Sequence, residues 1–357
     1  MKRKDFIKSV IFIGIFLLAL LPVSYIVRTN GDVKDRFSGF YAEKEDTIDI
    51  VMIGSSPVFP YYSAPMLWGE TGIAAYPLSS NVQRPAAMKY LVKEAEKTQS
   101  PSLYIFEMRM YTMKDEDLRA NMAYTRGVTD NLRYSANRVE TIQAMVPASE
   151  DRLSFYIDLF KYHTNWKMFA LASEWGNWRY RKESELKGFF IKDEVGPTAR
   201  PEVGGAEGEL AIPPEQEAYL KDLLAYLQEN KLQALFIVSP YGESLEDQQM
   251  YNYMSGIVEE AGYNFLNMNN YYDEIGIVFE EDFADYASHT NVVGAGKCTA
   301  FLKNYLLENY SFEDKRGNSA YVSWDKAYEK WKTDAEAACA VVAERIANED
   351  YAVIEGE

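Results

Sequence analysis

Hydrophobic positions fall into distinct patterns along this chain. Residues 9–27, SVIFIGIFLLALLPVSYIV, are a charge-free run of nineteen. At ~1.5 Å per residue a helix of that length crosses a ~30 Å hydrocarbon core. Farther on, short apolar runs end in turn residues: IDIVMIGSS (48–56), IAAYPLSS (73–80), SLYIFEMRM (102–110), LQALFIVSPY (232–241) and YNFLNMNN (263–270). Runs apolar on both faces predict buried parallel strands. Between and after them stand segments with apolar residues at helical spacing. These are AAMKYLVKEAEK (86–97), the Pro-started PPEQEAYLKDLLAYLQENK (213–231), EDQQMYNYMSGIVEEAG (246–262) and AGKCTAFLKNYLLENY (295–310).

Strand–helix alternation predicts an α/β fold, a three-layer α/β/α arrangement around a mostly parallel five-stranded sheet. The expected organisation is a cytoplasmic start and transmembrane anchor over 1–28, a polar linker over 29–47, and an α/β domain over 48–312. Residues 111–212, rich in Arg, Asn, Trp and Tyr, interrupt the alternation and read as a helical insertion where such folds build pockets. Residues 313–357 read as a charged, partly helical tail that packs loosely. Lys2, Arg3, Lys4 and Lys8 precede the apolar run, so the positive-inside rule puts the N-terminus in the cytoplasm and the domain outside the cell. The stretch LLPVSYIV lacks a clean small-x-small cleavage site, which favours a retained single-pass anchor over a cleaved signal.

Composition narrows the chemistry. The 357 residues are 47% hydrophobic and carry a net charge of −17, which argues against nucleic acid as partner, since phosphate binding needs a basic face. Two cysteines, Cys298 and Cys339, exclude a disulfide scaffold, and Cys298 on its apolar helix face reads as a buried thiol. No dinucleotide, phosphate-loop, zinc-protease or EF-hand motif occurs, so no cofactor and no metal is expected. With two histidines in the chain, a neutral-pH base is His163 or His289.

Ser56 closes a predicted strand at the carboxyl edge of the sheet, where ligands bind in open α/β folds. A serine there is either a nucleophile or the cap of the next helix. His289, in DFADYASHTNVVGAGK after the fifth strand, belongs at the same edge. Asp285 and Asp282, four and seven residues earlier, are candidates to orient its ring. His163, in KYHTNWKMF, is either a substrate contact or a packing residue.

The GSSP turn, the block YPLSSNVQRP, the His289-x-Asn291-x-x-Gly294-Ala295 motif and the strand order resemble the SGNH/GDSL hydrolase superfamily, whose sheet is flavodoxin-like. Further features (YHTNW, KGFF, VSPYGESLEDQ, YNYMSGIVEEAGYNFLN, DKRG and SWDKAYEKW) extend the resemblance over residues 49–331. They make the chain similar to membrane-anchored SGNH-like proteins of Gram-positive bacteria, with relatives in teichoic acid D-alanyl transfer and alginate O-acetylation. The resemblance implies Ser56 as nucleophile, His289 as base, and Ser79 and Asn81 of the PLSSN turn as oxyanion or substrate contacts beside the Ser56 amide. It implies an esterase or O-acyltransferase at the cell surface. Its partners would be the lipid bilayer, an acylated envelope polysaccharide or teichoic acid, and a membrane-bound O-acyltransferase. The other reading is a non-catalytic glycan-binding or scaffold module. Two departures stand out. The superfamily aspartate precedes its histidine by three residues, where this chain has Tyr286, so Asp285 is the substitute. The Gly-x-Asn-Asp block after the third strand is replaced by FEMRM, leaving Arg109 near the asparagine position as a candidate to bind an anionic or carbonyl oxygen.

Overall fold

A computed structural model of the chain describes residues 3–28, 31–168 and 175–353. Parts of the expected cytoplasmic start (1–2), linker (29–30), insertion (169–174) and tail (354–357) lie outside the described residues. Five strands form one sheet: β1 (Ile50–Ile53), β2 (Ala75–Pro77), β3 (Leu103–Glu107), β4 (Ala234–Val238) and β5 (Asn264–Asn267). Their order is β2-β1-β3-β4-β5 and every pairing is parallel. Each lies inside a run expected to be a strand.

The helices in chain order are α1 (Arg3–Val27), α2 (Asp32–Ala42), α3 (Ala64–Thr71), α4 (Met88–Ala95), α5 (Asp115–Leu118), α6 (Met122–Thr129), α7 (Ala136–Met145), α8 (Leu153–Tyr156), α9 (Asp158–Tyr162), α10 (Pro214–Glu229), α11 (Leu245–Glu260), α12 (Tyr272–Ile275), α13 (Val292–Asn309) and α14 (Val322–Asn348). Alternate strand residues feed two apolar clusters. Val51, Ile53, Phe106 and Phe236 pack with Phe40, Leu91, Leu224 and Tyr251. Ile50, Met52, Ile105 and Leu235 pack with Leu67, Cys298, Leu302 and Leu306. Side chains of a strand point to opposite faces with period two, which is why one strand serves both cores. Both cysteines are unpaired, Cys298 buried and Cys339 exposed.

Two expectations differ from the structure. The region expected to be a linker contains α2, whose Phe37, Phe40 and Tyr41 are buried. Its apolar residues recur at i, i+4, i+7 and i+8, a helix face hidden by a polar average. A Cβ on Gly39 would lie 2.4 Å from the Tyr76 hydroxyl, so the close approach of α2 to β2 requires glycine there. The tail forms the helix expected of it, α14, but docks on α3 where loose packing or extension was expected. Trp324 is buried beside Trp68, and the Trp68 indole N–H donates to Asp325 at 3.0 Å.

α1 is long and apolar enough to be a membrane span or a signal sequence. Its middle is exposed, but its last residues enter the folded domain, where Ser24, Ile26 and Val27 are buried. Arg28 follows, fully buried, its Nε on Asp158 at 2.6 Å and its guanidinium between the rings of Tyr25, Tyr134 and Tyr180. Asp158 also accepts from Arg138 and from the Tyr134 hydroxyl. Charges removed from water survive only when paired in this way. Replacing Arg28 by Ala strips one partner from a buried carboxylate that keeps Arg138. The expected loss is therefore about 3 kcal/mol, the low end for a broken buried pair. Denaturant unfolding of the detergent-solubilised full chain measures it, and an unchanged midpoint would show that the foot of α1 adds nothing to the domain.

Candidate active site

All five strands end at one edge, and the turns that follow assemble the site. β1 runs into Gly54, where a Cβ would sit 2.6 Å from that of Glu107 and 2.8 Å from Val58 Cγ2. Glycine lets the turn press against β3. Ser55 is buried; its Oγ accepts from Gln83 N at 3.2 Å and its carbonyl from Val58 N at 3.1 Å. Ser55 therefore holds the turn, and Ser56, partly exposed, is left to another partner. That partner is His289, whose Nε2 lies 2.7 Å from Ser56 Oγ.

His289 sits in a tight loop closed by an antiparallel bridge between Phe283 and Thr290 and by Ala284 N–H donating to the His289 carbonyl at 2.8 Å. Within it, Asp285 accepts twice from one residue: Oδ1 from His289 N and Oδ2 from Nδ1, each at 2.6 Å. An ionised carboxylate only accepts, so Nδ1 carries the proton and Nε2 is free to accept from the Ser56 hydroxyl. Burial alone would raise the Asp285 carboxyl. The His289 hydrogen bonds and Lys192, 3.7 Å away, outweigh it and hold the group below its ordinary value. Asp285, Ser56 and His289 thus form one continuous relay.

Backbone conformation curls the loop so that the carboxylate of Asp285 returns to a residue four positions on. Tyr286 (φ 54°) and Ala287 (φ 64°) are both left-handed. That region costs non-glycine residues roughly 1–2 kcal/mol each, and such conformations persist only where neighbours over-determine them. The neighbours here are many. Gly196 accepts from Tyr286 N at 3.0 Å, Gly242 N donates to the Ala287 carbonyl at 2.9 Å, and the Tyr286 hydroxyl donates to Ala352 at 2.6 Å. The Ser288 carbonyl accepts from Arg109 Nη1 at 2.7 Å and from the Tyr61 hydroxyl at 3.0 Å.

The remaining candidates take other roles. Arg109 is buried, bound to Ser288 and to the Tyr61 hydroxyl (3.2 Å), with its guanidinium 4.0 Å from the Tyr241 ring centre. The oxygen it binds is the loop's own carbonyl, so it braces His289 and does not stand free for substrate. Asp282 is buried and serves Val278 N and Lys297 at 2.7 and 2.6 Å, away from the imidazole. His163 is exposed, with Nδ1 3.1 Å from the Leu159 carbonyl, and no hydrogen bond joins it to the relay. Of its two readings, buried packing does not hold, since the ring is exposed and meets the i−4 carbonyl of its own helical turn.

Ser79 is buried, and its carbonyl accepts from Arg36 Nε at 3.1 Å. Among the described residues no acceptor engages the backbone N–H of Ser56 or Ser79. Asn81 is exposed and lines a cavity of about 540 Å³ with Asn121, Tyr124, Arg126, Lys161 and Tyr162. Sequence reasoning missed Tyr61, Lys192, Gly196 and Gly242, which act on the loop from distant segments and carry no motif. Among the described residues no group of three or more His, Cys, Asp or Glu side chains is placed to hold a metal ion.

Two buried carboxyls lie within reach of the Arg109 charge. Burial pushes Glu107 up to about 7, against the opposing charge of Arg109. It pushes Glu243, whose two oxygens have no hydrogen-bond partner, up to about 8.

No family model matches the chain, and no curated protein matches it significantly.

Two outcomes are expected from this geometry. In Gly196→Ala the new methyl meets Tyr286 N at 2.4 Å and Asp285 Cα at 2.8 Å. It should cost about 1–3 kcal/mol of stability as overpacking. Displacing Asp285 by ~1 Å should slow Ser56 reaction with a fluorophosphonate by roughly 10²-fold; labelling at the wild-type rate would show the loop is not held this way. For Glu243 the sign follows from its raised value. The unfolded carboxyl releases its proton near ~4.3 while the folded one keeps it to about 8, so wild-type stability falls as pH rises through that window. Glu243→Gln should be the more stable protein at about pH 9, and the gap should close by about pH 4. Parallel pH-dependence of the two melting curves would contradict it.

Proposed function

We propose that the chain is a membrane-anchored serine esterase or O-acyltransferase of the SGNH/GDSL kind, moving a small acyl group on or off an envelope glycopolymer outside the cell. The observation that carries this reading is the Asp285–His289–Ser56 relay, with 2.6 Å and 2.7 Å between consecutive partners. A carboxylate, an imidazole and a serine hydroxyl in hydrogen-bonded series are what acyl transfer through serine requires. The three-layer α/β/α arrangement of that superfamily accounts for the two apolar clusters formed by alternate strand residues. Arg3, Lys4 and Lys8 before the apolar run support a cytoplasmic N-terminus.

In this reading Ser56 Oγ attacks the ester carbonyl carbon while His289 Nε2 takes the hydroxyl proton, and Asp285 stabilises the imidazolium. The tetrahedral oxyanion meets the unengaged N–H groups of Ser56 and Ser79. Collapse expels the alcohol, which takes the proton from Nε2 and leaves an acyl-serine. Water or a sugar hydroxyl then gives its proton to Nε2 and attacks the acyl carbon, and the same steps in reverse free Ser56. Acylated polysaccharide or teichoic acid, and a membrane-bound O-acyltransferase, are the partners this chemistry calls for.

A second reading, a glycan-binding or scaffold module, is favoured by Arg109. It stands near the position of the superfamily asparagine but is committed to the Ser288 carbonyl, leaving only backbone groups to receive an oxyanion. Fluorophosphonate labelling of the detergent-solubilised full chain separates the two. Wild type should be labelled at Ser56, and Ser56→Ala should be unlabelled with an unchanged melting temperature. Asp285→Asn, which inverts the tautomer preference, should slow labelling by roughly 10³–10⁴-fold. A folded wild type that resists labelling would give the site to the binding reading.

A further inference from the structure

Residues 152–168 and 175–182 differ in character from the rest of the chain. The whole stretch 152–182 carries six basic and two acidic residues, Asp158 and Glu174, in a protein of net charge −17. They also expose large apolar side chains: Leu153 (54%), Ile157 (40%), Phe160 (56%), Trp166 (56%), Trp175 (56%) and Trp178 (47%). Half of the protein's six tryptophans are in this group. Soluble surfaces scatter such residues singly; clustering beside bases marks an interaction surface. Two of the tryptophans have a cation at hand, Lys167 5.9 Å from the Trp166 ring centre and Arg179 4.4 Å from that of Trp178.

Position identifies the occupant. α9 and the turn His163–Met168 pack against α1 where it enters the domain. Asn165 Nδ2 donates to the Val27 carbonyl, the last residue of α1, at 2.9 Å. Tyr180, two residues beyond Trp178, stacks on Tyr25 of α1 at 5.2 Å. The exposed aromatics therefore surround the level at which the apolar helix ends. Tryptophan is enriched where hydrocarbon meets headgroup, and basic side chains there meet anionic phosphate.

We infer that this part of the insertion is a membrane seat, its tryptophans and Phe160 dipping into the headgroup layer of an anionic bilayer beside α1. This rests on the reading of α1 as a membrane span. Two contacts then hold the domain to the lipid surface, a span and an amphipathic face, fixing both its height and its tilt. The Asn81–Arg126–Lys161 cavity, which also draws Tyr162 from α9, comes to lie next to that surface.

The test uses the full chain in phosphatidylcholine–phosphatidylglycerol vesicles, with and without brominated acyl chains. α1 contains no tryptophan, so quenching reports on the domain alone. Bromolipid should lower wild-type tryptophan emission. The loss should disappear in the Trp166→Phe, Trp175→Phe, Trp178→Phe triple variant, and each single variant should remove part of it. Flotation of the same vesicles reads insertion of α1 separately. A chain that floats yet is quenched no more than the triple variant overturns the seat, leaving α1 as a span and the exposed face to a protein partner. A chain that does not float overturns both.

Discussion

The Asp285 carboxylate accepts from both the backbone N–H and the ring Nδ1–H of His289, and that double acceptance fixes the rest of the site. The backbone bond ties the carboxylate to its loop and the ring bond selects the tautomer, so Nε2 faces Ser56 with its lone pair. Bonds to an ionised acceptor are about twice as strong as neutral ones. Two of them act against the cost of placing Tyr286 and Ala287 in left-handed backbone. The balance also needs outside help, and the helpers come from across the chain: Tyr61 after β1, Arg109 after β3, Gly196 from the insertion, Gly242 after β4, and Ala352 beyond α14. The first four bind backbone groups of the loop, and the Ala352 carbonyl takes the Tyr286 hydroxyl. None carries chemistry of its own.

Bracing the loop in this way buries charge close to it. Arg109 must be buried to reach Ser288, and a buried guanidinium needs negative or aromatic neighbours. Tyr61, Tyr241 and Glu107 supply them, with Glu107 accepting from the Arg109 backbone N–H at 3.3 Å. Glu243, in the same layer but without a hydrogen bond, stays protonated until about pH 8. The charges that act on it are Asp247, which raises it further, and Arg109, which opposes.

Much of the fold was legible because buried parallel strands are apolar on both faces and end in turn residues. Ser56 and His289 could be paired because both terminate strand–turn units at the same sheet edge. Asp285 is legible as a candidate from its closeness in sequence to His289, but the means that brings it onto the ring, two left-handed residues in succession, has no signature in Tyr and Ala. Arg109 was legible as a cation near the site. Its destination was not, because a guanidinium binds a protein carbonyl as readily as a substrate oxygen. His163 lies on the exposed turn that packs against the end of α1, a placement its aromatic neighbours in the sequence do not signal. The segment before β1 misled because α2 hides Phe37 and Phe40 among charges, and α14 because its buried residues are mostly alanines.

α2 also links the apolar helix to the Ser79 turn. Four residues separate the end of α1 from the start of α2, so the apolar helix is not hung on a long tether. Arg36 of α2 donates to the Ser79 carbonyl, and its guanidinium lies 3.5 Å from the Phe59 ring centre, on the segment that follows Ser56. The turn bearing the Ser79 amide is therefore held by a helix that continues from the apolar one, while Arg28 and Asp158 pin the foot of that helix to the insertion. A rigid connection through buried side chains transmits position in a way that a flexible linker does not. With α1 in a bilayer, the same contacts that bury Arg28 and Arg36 hold the Ser56 turn at a fixed distance from the lipid surface.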